Sequence, residues 1–236
     1  MSQILGVYLF PNGDFSKQIQ VLRDKAGAFA ILLKSPRLSP TDIRIFHKTM
    51  YGPAMKYPLS AMAVDEEELN CIQTSVIPAM LQKLGINRNL PTAIRHGPTE
   101  FGGMALLDLR TELGIETIKY LRNAVYAQSA TGLLIILTLK HLQQEAGIGE
   151  HLLECPDIHI PYLTPTWITS IRQYMSNHNL TMTITDVSAP QLNRAGDSFI
   201  MTASHLARYT AIQQKDINLV RMYLQATFLS DLAALD

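Results

Sequence analysis

Apolar residues recur at helical spacing through most of this chain. Phe15, Ile19, Leu22, Ala26, Phe29 and Leu33 fall three and four apart, so one stripe faces a core, with Asp14 placed to cap the helix start. Ser39-Pro40 opens a second helix, with Ser as cap, Pro in the first turn and Asp42 three residues past the cap. Its apolar positions Ile43, Phe46 and Met50 run into Gly52-Pro53, where a break or kink is expected. A third helix is expected from Asp65 to Gly85, with Asp65 and Glu68 as a capping box, Leu69, Ile72, Val76, Met80 and Leu84 as its stripe, and a bend at Pro78.

Strand patterns are scarce. Ile4 to Phe10 is a short apolar run closed by Pro11-Asn12-Gly13, read as a strand with no partner in the following hundred residues. A buried strand edge leaves backbone groups unsatisfied, so this orphan must pair with a distant strand or belong to a sheet outside the sequence. Leu180 to Thr185 alternates apolar and polar residues and reads as the second strand. Pro91, Gly97-Pro98 and Gly102-Gly103 make the stretch from Leu90 to Leu109 irregular. Helices follow over 110–126 and 129–146, then from Thr164-Pro165, burying Trp167, Ile168, Ile171 and Met175, and from about Asp216 to Leu232. Pro156, Pro161 and two glycines make 147–163 the expected boundary between regions 1–150 and 151–236.

Charge narrows the picture further. The chain of 236 residues has a formal net charge of zero, which argues against non-specific nucleic-acid binding by the whole surface. Its first 60 residues, however, hold eight Lys/Arg against three Asp, a net of +5. Cys71 and Cys155 make neither a disulfide framework nor a metal-ligand spacing, so a reducing intracellular compartment is expected, cytoplasmic or nuclear. No stretch approaches the length of a membrane span.

The catalytic search is negative. There is no phosphate loop, nucleophile elbow, zinc-protease motif or cysteine pair. The histidines at 47, 96, 141, 151, 159, 178 and 205 are scattered and read as surface or capping residues. Glu66-Glu67-Glu68 reads as a first-turn complement to the helix dipole rather than a metal site. Asp108 and Arg110 read as an ion pair near a turn, and Gly102-Gly103 as a turn that needs positive φ. No catalytic residue, metal ligand or cofactor is assigned.

Five segments in order carry a resemblance. Ile4-Leu-Gly-Val-Tyr-Leu9 with the following helix, Tyr57-Pro-Leu59 with residues 69–85, and Gly97-Pro-Thr-Glu-Phe-Gly-Gly-Met-Ala-Leu-Leu-Asp108 are the first three. Arg194 to Met201 and Asn218 to Asp231 complete the series. Together they resemble the join of palm and thumb, and the regions downstream, in reverse transcriptases of non-long-terminal-repeat retrotransposons. In that family the third segment reads Pro-x-x-x-Gly-Gly-Leu-Gly-Ile/Leu, and here Met104 and Ala105 fill the Leu-Gly slots. The palm aspartates that hold two metal ions in such enzymes have no counterpart, since the sequence contains no Asp-Asp pair.

The resemblance implies a mainly α protein: a thumb-like helical bundle with an N-terminal orphan strand, then a smaller α+β part. It implies a fragment that grips a template–primer duplex without polymerase activity of its own. The candidate phosphate contacts are Lys17, Arg23, Lys25, Lys34 and Arg37. The alternative is a stand-alone helical module whose strand at Ile4–Leu9 docks onto a protein partner.

Overall fold

A computed structural model of the chain describes residues 2–4, 7–9, 13–64, 66–192 and 194–232. It is mainly helical and divides into two compact units, 1–119 and 120–236.

In the first unit a hairpin of β1 (Ser2–Ile4) and β2 (Val7–Leu9) precedes α1 (Ser16–Leu33). The run expected as one unpartnered strand, Ile4 to Phe10, instead supplies the end of β1 and the whole of β2. The pairing of β2 is local, antiparallel with β1, and no other described strand joins them. The Gln18 side chain accepts a hydrogen bond from the Tyr8 N–H at 2.9 Å, tying β2 to α1. The Asp14 carboxylate accepts from the Ser16 N–H at 2.8 Å at the helix start.

Helix α2 (Pro40–Phe46) has the expected Ser39–Asp42 capping box. The chain is not broken at Gly52-Pro53. A wide π turn over His47–Tyr51 leads into α3 (Gly52–Lys56), and the Gly52 N–H reaches back to the His47 carbonyl. Proline lacks an N–H and its ring crowds the preceding turn, and the wider turn absorbs both.

The third expected helix is two, α4 (Glu66–Gln73) and α5 (Val76–Lys83). A proline ring clashes with the carbonyl four residues earlier, which for Pro78 is Thr74, where the helix stops. The Asp65 cap lies outside the described residues. Helix α1 packs on both α4 and α5 around Leu22, Ala26, Leu33, Tyr51, Met55, Ile72, Met80 and Leu81. Burial of these side chains at about 25 cal/mol per Å² is the main stabilisation of the unit.

A short helix α6 (Thr92–His96) and an irregular strap follow, and α7 (Leu109–Tyr126) runs across the division at residue 119.

In the second unit, Ser129 caps α8 (Ala130–Ala146), which ends at Gly147 with φ +60°, a left-handed conformation suited to glycine. Thr166 caps α9 (Trp167–Asn177), which buries Ile168, Ile171 and Met175, while Trp167 stays half-buried, edge-on to Tyr120. A single turn, α10 (Ala203–Leu206), precedes α11 (Ala211–Leu224). That last helix starts earlier than expected because Thr210 and Gln213 form a capping box, and ends earlier at Gln225 in the left-handed conformation.

Two expectations for this region are corrected. Residues 180–185 are not a strand. They pair with no strand among the described residues; the Leu180 N–H returns to the Met175 carbonyl at 2.9 Å and the Met182 N–H reaches the Leu153 carbonyl at 2.9 Å. The boundary expected at 147–163 falls instead inside the second unit, 120–236. Gln143 donates to the Glu150 carbonyl at 2.8 Å and accepts from the Leu152 N–H at 3.1 Å. Arg172 donates to the carbonyls of Leu152, Cys155 and Ile158, and Tyr162 donates to the Ala146 carbonyl. The segment is irregular yet bonded onto α8 and α9 of its own unit.

Candidate functional site

The five expected phosphate contacts are all exposed, but α1 does not gather them on one face. At 3.6 residues per turn, Arg23 and Lys34 lie within about 20° of each other, and Lys17 and Lys25 within about 80° on the opposite flank. Asp24 sits between the two pairs.

Their electrostatic states also differ. Arg23 forms an ion pair with Glu68 in the first turn of α4, which spends its charge inside the protein. Lys17 lies 5.9 Å from the centroid of the Tyr8 ring. Lys25, Lys34 and Arg37 form none of the ion pairs found among the described residues. Lys34 directly follows α1, where a cation complements the carbonyl end of the helix.

The acidic run at 66–68 does what a first helical turn favours. Glu66 pairs with Arg110 at 2.7 Å and Glu68 with Arg23. Asp108 and Arg110 are not an ion pair, a correction to the sequence reading. The Asp108 carboxylate instead accepts the Arg110 and Thr111 N–H groups and the Thr111 hydroxyl at the start of α7.

The glycine-rich loop is built backbone against backbone. A short turn over Thr99–Phe101 ends at Gly102 with φ +78°, as expected. A Cβ on Gly103 would sit 2.1 Å from the Gly97 carbonyl oxygen, so that close approach serves the loop itself. Met104, Ala105 and Leu106 donate to the carbonyls of Ile94, Gly97 and Arg95. Ala105 adopts φ +50°, a conformation in which a Cβ is strained.

The strap that follows is pinned by buried polar side chains that periodicity did not single out. His47 Nε2 accepts from the Leu107 N–H at 3.2 Å. Gln73 donates to the Leu107 carbonyl at 2.8 Å and accepts from the Leu109 N–H at 3.2 Å. His96 Nδ1 lies 2.9 Å from the Leu106 carbonyl oxygen. The His47 ring stacks on Tyr51. Burial, helped by the nearby positive charge of Lys56 and by His96, lowers the His47 pKa to about 4, and burial raises that of the Tyr51 hydroxyl. The perturbations mark a packed polar joint. A polar residue such as Gln73 at an inward helical position was the available signal for it.

In the second unit the buried polar centre is Arg221. Its guanidinium donates to the carbonyls of Gln144 and Glu145 at 2.8 Å, to Ala226 and to Asn218 Oδ1. Gly147 leaves no room for a side chain beside it, since a Cβ there would meet the guanidinium carbon at 2.6 Å. Glu145 accepts from the Thr164 N–H and hydroxyl.

Among the described residues no group of His, Cys, Asp and Glu is arranged to hold a metal ion, and no helix is long and apolar enough to cross a membrane. Cys71 and Cys155 are free thiols. No protein-family model, no curated protein and no solved structure matches this chain.

Proposed function

We propose that the chain is a region downstream of the palm of a retrotransposon-type reverse transcriptase, with a thumb-like first unit that holds a nucleic-acid backbone and performs no polymerisation by itself. The observation that carries this reading is the backbone at Ala105. The reverse-transcriptase pattern has glycine in that slot, and φ is +50° there, a conformation glycine adopts without strain. The flanking Gly102 and Gly103 occupy their pattern positions for equally specific backbone reasons. Sequence resemblance and local geometry thus agree at positions where agreement has a steric cause.

The exposed cations Lys17, Lys25, Lys34 and Arg37 suit phosphate contacts, and Arg23 is withdrawn from that role by Glu68. The local pairing of β1 with β2 removes the orphan strand as an argument for a missing sheet, so the reading rests on the loop and the cations.

The test is fluorescence anisotropy of the full chain with a short duplex across a salt series. The reading expects binding whose affinity falls steeply between about 50 and 200 mM salt. Absence of binding at the lowest salt rejects it. At the gene level, a reading frame upstream that encodes palm aspartates is expected.

A further inference from the structure

Carboxylates are distributed unevenly through the first unit. Residues 25–41 contain Lys25, Lys34 and Arg37 and no Asp or Glu. Residues 69–99 contain Lys83, Arg88 and Arg95 and again none. The fold brings these two acid-free stretches together. Helix α5 packs on α1 and α2, and the Lys83 amine donates to the Ser35 carbonyl at 2.8 Å, joining the end of α5 to the turn between α1 and α2.

Beyond Lys83 the chain turns at Gly85, φ +71°, and the Ile86 N–H returns to the Leu81 carbonyl at 2.9 Å. Leu38, Ile86 and Leu90 then pack against the same hydrophobic core, which carries the neighbouring Arg37 and Arg88 outward on anchored backbone. Both arginines are exposed.

Elsewhere in this unit four cations are matched by carboxylates, while others, such as Lys25, Arg44 and Lys48, are in no ion pair among the described residues. The ion pairs among its described residues are Arg23–Glu68, Lys56–Glu112, Arg110–Glu66 and Lys119–Glu116, and none involves Lys34, Arg37, Lys83 or Arg88. Complementing the carbonyl ends of α1 and α5 accounts for Lys34 and Lys83. It does not account for Arg37 and Arg88, which lie past both helix ends.

We infer that Lys34, Arg37, Lys83 and Arg88 form a binding surface for a linear phosphate polyanion, at the end of the first unit where α1 and α5 terminate. Cations brought to one end of the unit with no carboxylate in either stretch raise the positive potential there, and a chain of phosphates neutralises it while releasing its counterions. As a nucleic-acid site this rests on the reading proposed above, and the test separates the two.

The probes are a labelled duplex of about 20 base pairs and inorganic polyphosphate, each titrated into the full chain over a salt series. The key variant is Arg37→Gln with Arg88→Gln, because both side chains are exposed and unbonded among the described residues. Lys17→Gln with Lys25→Gln is the comparison, and an unchanged melting temperature verifies folding of each. Loss of two phosphate contacts should weaken duplex binding ten-fold or more near 100 mM salt and reduce the log–log salt slope by about 2. The comparison variant removes two other cations of the proposed grip and should weaken duplex binding less than the arginine pair does.

Duplex binding that ignores the arginine pair and falls with the lysine pair overturns the inference and leaves the grip reading standing. Polyphosphate binding that needs the arginine pair, with no duplex binding, supports the inference and rejects the nucleic-acid reading. Binding of neither probe overturns both.

Discussion

Both units bury an apolar core, and they differ in how much irregular backbone is bonded to helices by buried polar side chains. In the first, helices α1, α4 and α5 bury aliphatic and aromatic side chains against one another, buried His47 and Gln73 pin one strap, and some of its charged side chains, Arg23 with Glu68 and Arg110 with Glu66, meet in ion pairs. In the second, long irregular segments are bonded to helices by buried polar side chains, with Gln143, Arg172 and Arg221 each reaching several backbone groups. A core of stripes tolerates small losses by relaxing. A network of side chain to backbone bonds does not, because removal of one donor strands several carbonyls at once.

The sharpest way to test that contrast is Arg221→Ala. It strips the carbonyls of Gln144, Glu145 and Ala226 of a charged donor in a buried setting, at about 1–3 kcal/mol for each group left unsatisfied. We expect about 4 kcal/mol of destabilisation, read by calorimetry of the full chain. Arg221→Lys should recover little of it, since one ammonium cannot span the same set of acceptors. A loss below about 1 kcal/mol would show that the second unit does not depend on this network.

Acid should single out the first unit. His47 has a folded pKa of about 4 against an ordinary value near 6.5, so the unfolded chain takes up the proton first. The contribution of neutral His47 is therefore complete above about pH 6.5 and is lost progressively as pH falls toward 4. At 1.36 kcal/mol per unit the whole loss is about 3 kcal/mol. The carboxylates held below their ordinary range, Asp14, Asp42, Asp197 and Asp231, lose their contribution only below that window. Equilibrium unfolding from pH 7 to pH 4 should show the slope, and His47→Gln should flatten it. An equal slope in the variant would assign the acid sensitivity elsewhere.

The same contrast explains what could be read from the amino-acid order. Stripes such as Leu22, Ala26 and Leu33 announce α1 because packing against one partner face imposes a period, and caps such as Ser39 with Asp42 announce a helix start through local bonds alone. Pro78 was legible as a disturbance, though the full break before it depends on the carbonyl it crowds. Leu180 to Thr185 misled because alternation describes one buried face and says nothing of a neighbouring strand to bond with. Segment 147–163 misled because proline and glycine mark irregular backbone, whether it is a free linker or a segment bonded by Gln143 and Arg172 from elsewhere in the chain. The candidate surface was half legible for a similar reason. Lys34 and Arg37 stand in a basic stretch, but Lys83 and Arg88 join them only through the fold.

The smallest expected effect bears on the loop that links sequence resemblance to geometry. Ala105 occupies φ +50° inside a set of backbone bonds that fixes Met104, Ala105 and Leu106 against Ile94, Gly97 and Arg95. The left-handed conformation costs an ordinary residue about 1–2 kcal/mol, and glycine relieves that at an entropic cost of about 0.5–1 kcal/mol in the unfolded chain. Ala105→Gly should therefore stabilise the protein by roughly 0.5–1 kcal/mol, the reverse of the usual outcome of introducing glycine. Calorimetry beside wild type reads the sign directly. A destabilised variant would mean that residue 105 does not hold the conformation glycine favours, and the agreement between this loop and the reverse-transcriptase pattern would lose its steric cause.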